Sequence, residues 1–142
     1  IYAPGYYISG LYYYQTNVAI TLTNCKFDGN TAKTGSAIYT DSVSFTSGTV
    51  YMGNSITITN SKFYNNAATT EAALYLSYNT VNINRCDFEN NTGVVDGGAI
   101  HVHRINNPLV INNTNFTNSR KSWSLSIFLY SQISCNFFLI TS

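Results

Sequence analysis

The stretch TVNINRCDFENNTGVVDGGAIHVH, residues 80–103, decides the fold. Val81 and Ile83 alternate with Asn82 and Asn84, which is the two-residue period of a strand with one buried face and not the spacing of a helix. Arg85 and the small Cys86 interrupt the alternation. Phe88 follows, then Asn90-Asn91, a turn signal. After a loop, Ala99-Ile100 begins another apolar segment. A segment this short cannot bury Val81, Ile83, Phe88 and Ile100 by itself, so it needs neighbours of the same design.

The rest of the chain supplies them. Aligned on Phe27, Phe63, Phe88 and Phe116, the residue seven positions earlier is Ile20, Ile56, Val81 or Leu109, and five earlier Leu22, Ile58, Ile83 or Ile111. Two earlier comes a small residue, Cys25, Ser61, Cys86 or Thr114. Three earlier is Asn24, Asn60, Arg85 or Asn113, and three later Asn30, Asn66, Asn91 or Ser119. Eleven or twelve later stands Ile38, Leu74, Ile100 or Ile127, preceded by Ala37, Ala73, Ala99 or Ser126. One unit is therefore apolar-x-apolar, a polar bend, small-x-Phe, an Asn-rich turn, a loop, and Ala-Ile-aromatic.

Stacking such units pairs each short strand with its equivalents at about 4.8 Å and sets like residues into columns. The expected fold is all-β: a right-handed, single-stranded parallel β-helix of the pectin-lyase-like solenoid type, with about four to five coils. Phe27, Phe63, Phe88 and Phe116 form its expected core column. Asn residues at the bends are expected to tolerate left-handed backbone and to form amide ladders. Two-residue hairpin turns are not seen, as a parallel solenoid requires. The chain, 1–142, reads as one domain that starts and stops in mid-coil. Ser9 to Tyr12 resembles an Ala-Ile-Tyr segment, and Ile133 and Phe138 have the spacing of a next unit. Residues 41–54 read as a loop excursion.

Composition agrees with an ordered, neutral exterior. Charged residues are 9% and hydrophobic ones 44% of the chain, with 12 Tyr and 8 Phe. Net charge is +1, and no basic stripe exists of the kind that displaces counterions, so no nucleic-acid partner is expected. The apolar stretch from Leu125 to Ile140 is broken by Ser126, Ser131, Gln132, Ser134 and Asn136, and reads as strand and not as a transmembrane segment. The three cysteines, Cys25, Cys86 and Cys135, match no zinc spacing. Cys25 and Cys86 share a column two rungs apart, too far for a disulfide, and are expected to be buried free thiols.

Phe27-Asp28-Gly29-Asn30, Phe63-Tyr64-Asn65-Asn66 and Phe88-Glu89-Asn90-Asn91 fit a Phe-x-x-Asn motif, and Gly97-Gly98-Ala99-Ile100 fits Gly-Gly-Ala-Ile. Together these resemble the repeats of the chlamydial polymorphic outer-membrane protein family, over residues 9 to about 130. Gly35-Ser36-Ala37-Ile38 is a near match. Glu71-Ala72-Ala73-Leu74, Ser124-Leu125-Ser126-Ile127 and Ser119 depart from the pattern. The resemblance implies a β-helical passenger stalk used in adhesion and followed by a membrane barrel, of which nothing is visible here.

β-helices also host lyases and hydrolases, whose sites group carboxylates on one face. This chain has six: Asp28, Asp41, Glu71, Asp87, Glu89 and Asp96. Asp87 and Glu89 flank an inward Phe88 and read as scattered, solvated charges, so no catalytic residue is assigned. His101 and His103 lie on one face of a strand with Asp96 nearby in sequence, but no third ligand is evident and they read as outward surface histidines. No metal and no cofactor is expected. Tyr12, Tyr39, Tyr75, His101 and Phe128 are expected to form an outward aromatic column, either simple cross-strand stacking or a strip for sugar rings or another protofilament. Asn90, Asn112 and Asn115 head N-glycosylation sequons, Asn90 the most accessible.

These readings converge on a non-enzymatic structural or adhesive module, extracellular or at the cell surface, self-associating through open coil ends into a rod or filament and expected to be glycosylated at its three sequons. A carbohydrate-binding or carbohydrate-cleaving domain is the alternative from another class, and a fragment of a large surface adhesin is a third.

Overall fold

The computed structural model describes residues 1–3, 19–40, 55–77, 80–95, 97–103, 109–121 and 127–130, all of it strand, bend and turn. The excursion 41–54, Ser9 to Tyr12, Cys135 and the segment from Ile133 to Phe138 lie outside the described residues. A short β1 (Tyr2–Ala3) precedes four coils. The first contains β2 (Ala19–Thr23), β3 (Lys26–Asp28), β4 (Thr31–Ala32) and β5 (Ile38–Thr40). The second contains β6 (Ser55–Thr59), β7 (Lys62–Tyr64), β8 (Ala67–Ala68) and β9 (Leu74–Ser77). The third contains β10 (Thr80–Asn84), β11 (Asp87–Glu89), β12 (Thr92–Gly93) and β13 (Ile100–His103). The fourth contains β14 (Leu109–Asn112), β15 (Asn115–Thr117), β16 (Arg120–Lys121) and β17 (Ile127–Tyr130).

Each strand pairs only with its counterparts in adjacent coils. One sheet has the order β1-β5-β9-β13-β17, and the others β14-β10-β6-β2, β15-β11-β7-β3 and β16-β12-β8-β4. All pairings are parallel. This is a parallel β-helix, and its right hand follows the rule for crossovers between parallel strands.

Register makes the columns. Ile20, Ile56, Val81 and Leu109 are successive partners, as are Leu22, Ile58, Ile83 and Ile111. Ile56, Ile58, Phe63, Leu74, Leu76, Val81, Ile83, Phe88, Ile100 and Val102 are at most 1% exposed and form one continuous core. Phe27, Phe63, Phe88 and Phe116 stand in a single pile, with centroids 4.9, 4.6 and 5.0 Å apart and planes within 13° of each other. Offset face-to-face stacking of this kind adds to the area each ring buries.

Bends separate the strands, and left-handed backbone creates them. At the first bend Asn24, Asn60, Arg85 and Asn113 have φ of 55, 49, 54 and 48°. At the second, Gly29, Asn65, Asn90 and Asn118 have φ of 67, 54, 54 and 48°. Asn carries the lowest cost of any side chain in this region after Gly. The small residue that follows the first bend closes it. Cys25 Sγ, Ser61 Oγ, Cys86 Sγ and Thr114 Oγ1 each donate to the carbonyl two residues back, on Thr23, Thr59, Asn84 and Asn112, at 3.5, 2.9, 3.4 and 2.8 Å. The position thus requires a short donor as well as a small volume.

The amide ladder is built by a different set of asparagines from those that make the bends. Asn30 Nδ2 donates to Asn66 Oδ1 (2.8 Å), and Asn66 Nδ2 to Asn91 Oδ1 (2.9 Å). Asn91 Nδ2 then donates to Ser119 Oγ (3.3 Å). The same amides also donate inward to the carbonyls of Phe27 and Phe63. The acceptor oxygens also take the backbone N–H of Asn30 and Asn66. Asn66 and Asn91 are fully buried, and every one of these bonds satisfies a group that would otherwise cost about 1–3 kcal/mol.

Arg85 alone among these left-handed positions is neither Asn nor Gly. Arg85→Asn is expected to raise the free energy of unfolding in urea by about 1 kcal/mol, because it relieves the left-handed penalty of a longer side chain.

Candidate functional site

The sheet β1-β5-β9-β13-β17 carries the aromatic column. Tyr39 stacks on Tyr75 at 5.1 Å and 9°, and Tyr75 on His101 at 5.1 Å and 18°. Above Tyr39 the next ring is Tyr2, at 5.3 Å and 21°. Tyr2 holds the rung expected for Tyr12, which lies outside the described residues. Ile1-Tyr2 repeats the Ile38-Tyr39 and Leu74-Tyr75 pairs of the next rungs. The backbone of Phe128 is in register with His101. The rings turn their faces to one another. His101 is only 4% exposed, so it is not the outward surface histidine expected. A column that covers its own ring faces presents edges to the outside, which suits cross-strand stacking better than a platform for sugar rings.

The outer face of β3, β7, β11 and β15 holds Lys26, Asp28, Lys62, Asp87 and Glu89, five of the described charged residues. Lys26, Lys62, Asp87 and Asn115 form one register column, and Asp28, Tyr64, Glu89 and Thr117 the next. Lys26 Nζ lies 2.7 Å from Asp28 Oδ2, and both side chains are exposed. The hydrogen bond from Lys26, and a second from Asn65 Nδ2, hold the Asp28 carboxyl below its ordinary value; the same contact raises Lys26. Asp87 Oδ1 accepts from Asn115 Nδ2 at 2.9 Å. Lys26 and Lys62 both approach the Tyr64 ring, at 5.9 and 6.0 Å. A general acid needs a carboxyl raised above its ordinary value, and Asp28 is shifted the other way. Asp28 and Glu89 share a column with Tyr64 between them, so they stand about 9–10 Å apart along the stack.

Among the described residues no group of three or more His, Cys, Asp and Glu gathers as a metal site. The backbone of His103 is one rung position from Ser77 and Tyr130, and Asp96 lies outside the described residues. Of the sequon asparagines, Asn90, Asn112 and Asn115 are all exposed. They differ in their surroundings. Asn115 spends its amide on Asp87, and the Thr114 hydroxyl of the Asn112 sequon is buried and donates to Asn112 O. Asn90 sits in the left-handed turn with Thr92 exposed beside it.

Cys25 and Cys86 are free thiols in the same column, with Ser61 between them. Cys86 is buried as expected, whereas Cys25, in the first coil, is only half-buried. Its coil is the last rung of the described sheet β14-β10-β6-β2 on that side.

In-register columns, left-handed Asn bends and an inward Asn ladder define the class: a parallel β-helical repeat protein. More particularly, residues 24–41 and 85–103 match the Chlamydia polymorphic membrane protein repeat. The two matches cover the bend, the Phe-x-x-Asn turn and the closing strand of the first and third coils. The second coil, with Glu71-Ala72-Ala73-Leu74, and the fourth, with Ser119, fall outside them. No curated protein and no solved structure matches the chain. No described helix is long and apolar enough to cross a membrane.

Burial pushes the Cys86 thiol above its ordinary value. An unfolded thiol ionises first, so this group's contribution to stability falls as pH rises through the ordinary thiol range. Cys86 is also expected to react with iodoacetamide at least tenfold more slowly than Cys25 in the native protein. Peptide mass spectrometry reads the two rates, which should become equal in denaturant.

Proposed function

We propose that this chain is a non-enzymatic structural or adhesive module displayed at the cell surface or outside the cell, and that its coils stack end to end with those of other copies to build a rod or filament. One observation carries the reading. On the first coil Ile20, Leu22 and Phe27 are only partly covered, as is Phe116 on the fourth, where Leu109 and Ile111 remain 5% and 7% exposed, whereas their column neighbours Ile56, Ile58, Phe63 and Phe88 are at most 1% exposed. A coil laid on these rungs would complete the columns and pair the edge backbones. The likeness to a polymorphic membrane protein repeat supports the surface location. The engaged, spread-out carboxylates favour a scaffold over a hydrolytic cleft.

Negative-stain electron microscopy and sedimentation test the assembly. Rods that lengthen with protein concentration are expected. Leu22→Lys, which places a charge on the outermost rung, should leave the β-sheet circular dichroism intact and abolish the rods. A wild-type chain that stays monomeric at the highest soluble concentration rules the reading out.

The sequons add a second expectation, for protein made in a eukaryotic secretory host. Asn90 should carry a glycan first, and Asn90→Gln should remove more glycan mass than Asn112→Gln or Asn115→Gln, as intact-protein mass spectrometry reads directly.

A further inference from the structure

We propose that the tyrosine column is a site of oxidative cross-linking, in which Tyr2 and Tyr39 join through ring carbons as dityrosine when the protein meets a haem peroxidase and hydrogen peroxide. The parallel register brings together three phenols that are distant in sequence, with Tyr2 opposite Tyr39 and Tyr39 opposite Tyr75. Their rings are already stacked, at 5.3 Å for Tyr2 and Tyr39 and 5.1 Å for Tyr39 and Tyr75. Backbone bonds clamp the first pair: the Ile1 nitrogen donates to Ala37 O at 2.7 Å, and Tyr39 N donates to Ile1 O at 2.8 Å. Coupling within a held pair has the advantage that proximity gives any intramolecular reaction.

Access favours the same pair. Tyr2 is 73% exposed, open to one-electron oxidation by a large enzyme, and among the described residues its stacked neighbour Tyr39 is the phenol placed to share the radical. At its other end the column passes from Tyr75 to His101, an imidazole that cannot form dityrosine. Two described pairs therefore exist, Tyr2 with Tyr39 and Tyr39 with Tyr75, and the exposed one reacts first.

The chemistry balances with one peroxide. Each phenol gives up one electron and its hydroxyl proton and becomes a neutral tyrosyl radical. The two radicals form a carbon–carbon bond between the ring positions ortho to oxygen. Each ring then loses its ortho hydrogen as a proton while its oxygen regains one, restoring both aromatic phenols. The peroxide takes up the two electrons and two protons and leaves as two waters. The product ties β1 covalently to β5.

The test treats the full chain with a haem peroxidase and hydrogen peroxide, then digests it and reads the cross-links by mass spectrometry. A 1:1 mixture of isotopically light and heavy protein separates links within one chain from links between chains. The expected product is an intrachain Tyr2–Tyr39 peptide lighter by two hydrogens, with dityrosine fluorescence, and several-fold enriched over the same reaction in denaturant. Tyr39→Phe keeps a stacking ring in the column and should remove this peptide while leaving the circular dichroism unchanged. The proposal is overturned if native protein yields no Tyr2–Tyr39 link, yields it no more often than denatured protein does, or forms it only between light and heavy chains.

Discussion

Everything in this molecule follows from strands that lie parallel and in register, one coil over the next, at about 4.8 Å. That arrangement sets each residue on its own counterpart, so a side chain is tolerated only if it can stack on its like. Phenylalanine can, as a pile of offset rings. Isoleucine and valine can, as columns of branched methyls. Isolated charges do so poorly, and the exterior is correspondingly almost neutral. Where charges do stack, on the β3 side, Lys26 and Lys62 neighbour each other and are relieved by Asp28 and Tyr64.

The same constraint solves the problem of a polar interior. Sharp bends leave backbone groups unpaired inside the coil, and buried polar groups must find partners. Asn66 and Asn91 meet that demand twice over, binding the next coil's Asn91 amide or Ser119 hydroxyl and the carbonyl of a core phenylalanine at once. The side-chain links from Asn30 to Asn66, Asn91 and Ser119 all run in the same direction along the axis, and chains of aligned hydrogen bonds polarise one another. Ser119 ends the described ladder with a hydroxyl that accepts from Asn91 and donates to Thr117 O.

The spacing of Phe27, Phe63, Phe88 and Phe116 was enough to read the coil, because the interval from each Phe to its own Ile or Leu hardly varies. The ladder was half legible. The recurrence at Asn30, Asn66 and Asn91 was visible, but sequence alone could not separate asparagines that bend the chain from those that bind across it. The small column was read by volume, although all four of its members, Cys25, Ser61, Cys86 and Thr114, also carry a hydrogen-bond donor. Tyr2 was missed although Ile1-Tyr2 repeats the Ile38-Tyr39 pair, because two residues with no preceding strand or Phe are too short a pattern to stand out. The burial of His101 depends on the rings stacked with it, which no local pattern encodes.

Most of the variation in coil length falls in one place. Successive coils advance by 36, 25 and 28 residues, yet the columns stay in register. All but about one residue of the difference falls between the strands of the β5 sheet and those of the β6 sheet, at 41–54, 78–79 and 104–108 in the sequence. Closing a longer connection costs only about 0.6 kcal/mol per doubling. That corner is therefore where insertions and deletions can accumulate without disturbing the core, and where a chain of this design is free to diversify what it shows to the outside.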